Sequence, residues 1–258
     1  MSESESLAGL RVLVTRPAHQ ADTLCRLIEK AGGEALRLPL LSIEPITPAL
    51  AARQLERARG FDWWVFTSAN AVRQARALDP GDWPGGLAAV GPATAAALEA
   101  AGRAQVLAPL QGSSSEALLA RAEFQSLSGK RVLIVTGAEG LDFLATELQA
   151  RGAAVVTAAV YHRVPLPHAA ETVEAALKRA KAIIVTSGQA LEHLWNLTPE
   201  ASRAALRRKQ LVAPSRRVVE MARTLGFMVP ALAPEQMSDA AILHCLESWW
   251  TPQPQTKP

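Results

Sequence analysis

Small hydroxyl and glycine residues recur in this chain just after short apolar runs. Thr15-Arg16, Thr67-Ser68-Ala69-Asn70, Gly91-Pro92-Ala93-Thr94, Thr136-Gly137-Ala138-Glu139-Gly140, Thr186-Ser187-Gly188 and Ala213-Pro214-Ser215-Arg216 all occupy that place. In open α/β sheets, ligands sit beyond the carboxyl ends of the strands. Free N–H groups at helix N-termini there attract anions. Any one Ser or Thr is accounted for as a helix cap. Six such ends in one chain point to an anion-binding cleft. Arg16, Arg131, Arg163, Arg216 and Arg217 are candidate ligand contacts, because they fall near strand ends or near the segment around Tyr161. Tyr161 is the single tyrosine, beside His162 and Arg163. Its phenol can donate a proton to a leaving hydroxyl or hold a ligand by hydrogen bond; alternatively the ring only packs.

Other chemistries lack their signatures. There is no GxxxxGK[ST] loop and no GxGxxG after a strand, so phosphate-loop nucleotide binding is disfavoured. No HExxH occurs and the five histidines are scattered, so no metal is expected. No GxSxG elbow presents a serine nucleophile. Cys25 and Cys245 form no CxxC pair, which fits a reducing cytosol.

The elements that must position these residues come in two copies. LAGLRVLVTR (7–16) reads like LSGKRVLIVTG (127–137), displaced by 120 positions, and Gly32 moves with it to Gly152. FDWWVFTSANAV resembles KAIIVTSGQAL; LAAVGPATAAALEAAG resembles QLVAPSRRVVEMARTLG; LAP recurs at 107–109 and 232–234; SSEALL echoes MSDAAIL. Strands are expected at Val12–Thr15, Trp63–Thr67, Ala88–Val90 and Val132–Val135. A helix is expected over Pro17–Ala31, with Gly32-Gly33 at its C-terminal cap. Ser68 and Ser187 are expected to cap helices. Alternating strands and helices imply parallel sheets covered on both faces. Ala35–Ile46 and Val155–Pro165 are long for single strands. Each is either a strand passing from one domain to the other or a pair of ordinary edge strands.

Composition bounds the rest. The 258 residues are 49% hydrophobic and 20% charged, which fits two soluble globular domains rather than disorder. No run approaches the roughly 20 apolar residues of a membrane helix. The N-terminus has no secretory pattern, and the polar N-terminal residues and the TPQPQTKP tail are expected to be flexible. The net charge of +3 and the few aromatics disfavour nucleic acid and favour a small polyanionic ligand. The Arg203–Arg208 stretch reads as a solvated helix face. Trp63-Trp64 and Trp249-Trp250 read as packing residues.

With these residues in view, the chain resembles the uroporphyrinogen-III synthase family. The likeness rests on RVLVTRP, LPLLSIEPI, DWWVFTSANAV, AAVGPATAAALEAAG, SSEALL, GKRVLIVTGAEG, the VYHRV segment, AIIVTSGQAL and VAPSRRVVEMARTLGF, in that order over about residues 7–247. The resemblance implies two similar parallel-sheet α/β domains joined by a two-stranded β connector, with a ligand cleft between them. Residues 1–37 and 164–258 would form the first domain and 38–163 the inserted second. It also implies a cytoplasmic monomer with no metal or cofactor, and it leaves room for transient contact with hydroxymethylbilane synthase.

The implied reaction is the cyclisation of hydroxymethylbilane, a linear tetrapyrrole bearing acetate and propionate groups. The ring A hydroxyl leaves as water, giving an azafulvene. The substituted carbon of ring D attacks it. The spiro intermediate fragments and recombines with ring D inverted, and proton loss gives uroporphyrinogen III. Without the enzyme, closure through the free carbon gives the type I isomer. By resemblance Tyr161 assists departure of the hydroxyl, and Thr15, Arg16, Ser68, Gly91, Thr94 and Ser187 line the cleft. Asn70, Gly137, Ser215 and Arg216 join them as candidate substrate contacts, although Ala213–Arg217 departs from the GPxTA-like stretch often found in relatives. The same features also fit a two-domain protein that binds an anionic small molecule without catalysis.

Overall fold

The computed structural model describes residues 5–112, 114–139 and 142–250. The expected flexible ends at 1–4 and 251–258, and Gly140, lie outside the described residues. The chain forms two compact units: Met1–Ser42 with Val164–Pro258, and Ile43–Arg163.

In the first unit, β1 (Arg11–Val14), β2 (Glu34–Arg37), β9 (Ala182–Ile184) and β10 (Gln210–Val212) form a parallel sheet in the order β10-β9-β1-β2. Successive side chains alternate between its faces. Leu13, Ile183 and Leu211 enter one buried cluster, whereas Val12, Val14, Ala182, Ile184 and Val212 enter another. Such apolar runs are what a sheet covered on both faces demands. The covering helices are α1 (Ala18–Lys30), α7 (Ala170–Arg179), α8 (Gly188–Leu197), α9 (Glu200–Arg207), α10 (Arg216–Thr224) and α11 (Asp239–Trp249). Pro17 is the cap of α1 rather than part of its first turn. Gly32 follows α1 at φ +82, the left-handed conformation that ends a helix, and its N–H donates to the Glu29 carbonyl. Leu7 and Leu10 are fully buried, and Leu7 N–H donates to the Ala31 carbonyl.

In the second unit, β4 (Trp63–Phe66), β5 (Gly86–Ala89), β6 (Val106–Leu107), β7 (Arg131–Gly137) and β8 (Ala154–Pro165) are parallel, in the order β8-β7-β4-β5-β6. Again the faces separate: Trp64, Phe66, Leu133 and Val135 bury on one side, Val65, Val132 and Ile134 on the other. Helices α2 (Pro48–Arg57), α3 (Ala69–Leu78), α4 (Pro92–Ala100), α5 (Ser115–Leu119) and α6 (Asp142–Ala150) accompany it.

The two long segments resolve differently. Val155–Pro165 lies within one 12-residue strand, β8. Ala35–Ile46 breaks at Leu38–Leu40 into β2 and β3 (Leu41–Pro45), because proline at 39 has no N–H for a ladder. β3 pairs with β8. Leu166 N–H donates to the Leu40 carbonyl and Ile46 N–H to the Val160 carbonyl, so one partner advances as the other retreats and the pair is antiparallel.

The sequence copies and the spatial units do not coincide. First-copy β1 and β2 join second-copy β9 and β10, whereas second-copy β7 and β8 join first-copy β4, β5 and β6. The register is conserved through this exchange. Val12 faces Ala182 in one sheet, and its repeat equivalent Val132 faces Trp63 in the other. Leu232 bridges Val212 in parallel where Leu107 pairs with Ala88 in the other unit. The two sheets thus share five positions, each set assembled from the opening of one copy and the remainder of the other, and the second sheet adds β3 beside β8.

Candidate active site

Because neighbouring strands are parallel, their carboxyl ends share one edge of each sheet. In the second unit that edge gathers Ser68 after β4, Gly91 and Thr94 after β5, and Gly137 at the end of β7. Ser68 is extended, and its Oγ accepts a hydrogen bond from Ala71 N–H at 3.1 Å, capping α3. Gly91 caps α4 with extended backbone and no side chain in the way. Thr94 is buried in the first turn of α4. Asn70 lies on the first turn of α3, where its Oδ1 accepts from Arg73 Nη2 at 2.6 Å.

Tyr161 meets this edge from β8. The β7–β8 register shifts between Thr136 and Gly137, so that Gly137 faces Tyr161. That irregularity brings the tyrosine ring directly over a residue with no side chain. A Cβ at Gly137 would stand 2.8 Å from the ring's Cζ and 2.9 Å from Cε2. The ring belongs to the buried cluster around Trp64 and Phe66, and Tyr161 is only 1% exposed. Its hydroxyl lies 3.1 Å from Ser68 Oγ. Arg163 Nη2 donates to the phenol oxygen at 3.4 Å, and the guanidinium stands 5.8 Å from the ring centroid. Arg163 is itself held by Glu139, with Nη1 3.7 Å from the carboxylate. Thr67 Oγ1 donates to Thr136 Oγ1 at 2.8 Å, tying the ends of β4 and β7. Gly137 therefore leaves room that the Tyr161 ring fills.

In the first unit the corresponding edge gathers Thr15, Arg16, Ser187, Ser215 and Arg216. Ser187 Oγ caps α8 by accepting from Ala190 N–H at 3.1 Å. Ser215 stands at the cap position of α10 but its side chain makes no cap bond, and Ser215, Arg216 and Arg217 are exposed. Thr15 is buried, and its hydroxyl donates to the Ile184 carbonyl at 2.7 Å, a strand-to-strand tie. Arg16 is also buried. It forms an ion pair with Asp239 and donates to the Met237 carbonyl at 3.1 Å.

Two expectations about arginines are corrected. Arg131 opens β7, at the opposite sheet edge from Ser68, and is occupied there by the Gly60 carbonyl and the ring of Phe61. The Arg203–Arg208 stretch is not a simple solvated face. The guanidinium carbons of Arg203 and Arg207 stand 4.7 Å and 5.0 Å from the ring centroid of Trp195, because the flat cation covers indole well.

Comparison with known proteins decides the class. A family model described as uroporphyrinogen-III synthase HemD matches residues 22–242. The uroporphyrinogen-III synthase of Salmonella typhimurium is 32% identical over 243 residues, covering 90% of this chain and 98% of that protein. The chain belongs to the uroporphyrinogen-III synthase family. The Escherichia coli uroporphyrinogen-III synthase matches over the same shares at 32% identity. The fold agrees. A Thermus thermophilus uroporphyrinogen III synthase structure superposes with a TM-score of 0.61 at 22% identity, over 93% of this chain and 99% of that one. A Helicobacter pylori uroporphyrinogen-III synthetase structure gives 0.58 at 16% identity, over 93% and 97%. As a member of the uroporphyrinogen-III synthase family, the chain is an enzyme, a cyclising lyase of tetrapyrrole biosynthesis.

Two residues escaped the sequence reading of this uroporphyrinogen-III synthase family member. In the sequence Glu139 stands only within the strand-end stretch 136–140, and Asp239 only within the repeated segment MSDAAIL. Nothing local shows that Glu139 reaches Arg163 across two strands or that Asp239 reaches back to Arg16. No helix among the described residues is long and apolar enough to cross a membrane.

Proposed function

We propose that this chain converts hydroxymethylbilane to uroporphyrinogen III, acting as a cytoplasmic monomer that meets hydroxymethylbilane synthase only transiently. Likeness to the Salmonella and Escherichia coli enzymes over 90% of the chain supports the reaction. The carrying observation at the site is Tyr161, whose hydroxyl is hydrogen-bonded at the strand-end edge beside a capped helix N-terminus. In this reading the tyrosine assists loss of the ring A hydroxyl as water.

The acetate and propionate groups of the substrate call for N–H donors. The starts of α3, α4, α8 and α10 supply them, and Arg216 adds an exposed guanidinium. Ser68, Asn70, Gly91, Thr94, Ser187, Ser215 and Arg216 are the proposed substrate contacts. Thr15 and Arg16 support this set from beneath, since their polar atoms are already engaged. Their work is mostly positional: the substituted carbon of ring D must meet ring A before the free carbon does.

The test is a coupled assay. Freshly made hydroxymethylbilane is supplied, the products are oxidised, and the porphyrin isomers are separated. Type III porphyrin rising in proportion to protein is the expected result. Type I alone at the rate without protein would sink the reading.

A further inference from the structure

Tyr161 is only 1% exposed, whereas Ser68 is partly open to solvent. A proton leaving the phenol therefore has to pass through a neighbour. We infer that Arg163, Tyr161 and Ser68 form a directed hydrogen-bond chain whose outer end, the Ser68 hydroxyl, is the group that protonates the departing hydroxyl of the substrate. This rests on the hydroxymethylbilane reading above.

The direction of the chain follows from counting donors and acceptors. Arg163 has no acceptor, so at 3.4 Å it donates to the phenol oxygen. The buried Tyr161 hydrogen then needs an acceptor, and among the described residues the hydroxyl's remaining neighbour is Ser68 Oγ at 3.1 Å. Ser68 Oγ thus accepts twice, from Tyr161 O–H and from Ala71 N–H at 3.1 Å. Both its lone pairs are used. Its own hydrogen is left to point away from the protein, where a ligand at the strand-end edge would lie. The repeat equivalent Ser187 has the same cap bond, from Ala190 N–H at 3.1 Å. The repeat equivalent of Tyr161 is Leu41, so no phenol follows that serine in the repeat.

The carbon–oxygen bond of the substrate breaks with its electron pair going to oxygen. Ser68 gives that oxygen its proton and takes the proton of Tyr161, and water leaves. The phenolate is stabilised by the Arg163 guanidinium while the substrate carries the azafulvenium charge. When the closed macrocycle loses its proton, the chain is restored in the reverse order. Ser68 is the catalytic donor, Tyr161 supplies the proton behind it, and Arg163 favours the anion that remains.

The experiment measures kcat and KM for type III formation in Ser68→Ala, Ser68→Asn, Ser68→Thr, Tyr161→Phe and the Ser68→Ala/Tyr161→Phe double variant. Ser68→Asn keeps an acceptor for the helix cap but has no hydroxyl, so it separates the cap from the proton. Expected are losses in kcat of about 100-fold for Ser68→Ala, Ser68→Asn and Tyr161→Phe, with KM little moved. Ser68→Thr should recover most of the rate, and the double variant should lose no more than either single one, as parts of one unit do. Losses that multiply to about 10⁴-fold, or a Ser68→Asn enzyme at full rate beside a slow Tyr161→Phe, would overturn the chain while leaving the reaction assignment intact. If the unaltered protein yields type I alone, the reaction assignment and the chain fall together.

Discussion

Asp239, at the first position of the last helix, closes an ion pair on Arg16, which lies 223 positions earlier just beyond the first strand. The pair ties α11 to the carboxyl end of β1, and α1 packs beside it. A strand-end arginine that looks available to an anionic ligand is in this way neutralised by its own chain. Removing one partner leaves a largely buried charge. Asp239→Asn should therefore cost about 1–3 kcal/mol, less than a fully buried pair because the carboxylate is partly solvated. Urea unfolding of the purified variant measures it. An unchanged midpoint would show that the pair contributes nothing net.

Gly137 and Gly188 predict opposite signs. Gly137→Ala places a methyl group 2.8 Å from the Tyr161 ring in a packed interior, and the ring must move. The expected loss is about 1–3 kcal/mol with a concurrent loss of activity. At Gly188, the first residue of α8, an added Cβ meets nothing closer than Met221 Sδ at 3.5 Å, so Gly188→Ala should gain about 0.5–1 kcal/mol. Thermal unfolding of both variants checks the contrast.

Two serine caps of the first unit, at Ser187 and Ser215, differ in the same measurable way. Ser187 accepts a bond from the Ala190 N–H, whereas Ser215 caps α10 in position only. Ser187→Ala should lose about 1 kcal/mol, and Ser215→Ala only a few tenths. Equal losses would mean that the Ser187 hydrogen bond is worth no more than water.

Asp62 predicts a pH dependence. Its carboxylate accepts from Arg131 N–H at 2.8 Å and from Lys130 Nζ at 3.0 Å, and the bond from the Arg131 N–H does most to hold its pKa below the usual carboxylate value, with Lys130 adding to it. The folded state therefore binds that proton less readily than the unfolded chain. The stabilisation is present above the unfolded pKa of about 4 and disappears as pH falls through the lower folded value. Asp62→Asn should be less stable than the unaltered protein at pH 7, and the gap should close on acidification below about pH 4. A gap that widens on acidification would contradict the assignment.

Much of this architecture is legible in the sequence because its signals are local. The alternation of strand and helix, the glycines that end α1 and α6, and the serines that cap α3 and α8 are set by neighbours within a few positions. The 120-position repeat adds a second, long-range signal that foretells two alike sheets. The place of Arg131 is not legible in this way: a residue beside a strand lies at its start or its end, and Arg131 opens β7 at the edge opposite Ser68. Nor is the role of Arg203 and Arg207, whose guanidinium groups cover an indole eight and twelve positions earlier, at Trp195.

The chain alone determined the class of fold, the six strand-end positions and, through ordered motifs, the family. Each depends on residue type and spacing, which a sequence states outright. Only the tertiary structure decided which copy supplies which strand, that the register shift sets Tyr161 over Gly137, and that Arg16 is already paired. These are contacts between segments tens to hundreds of positions apart. Similar strands from either copy satisfy the same local rules, so their partners are chosen by packing of whole faces and by where buried polar groups find one another.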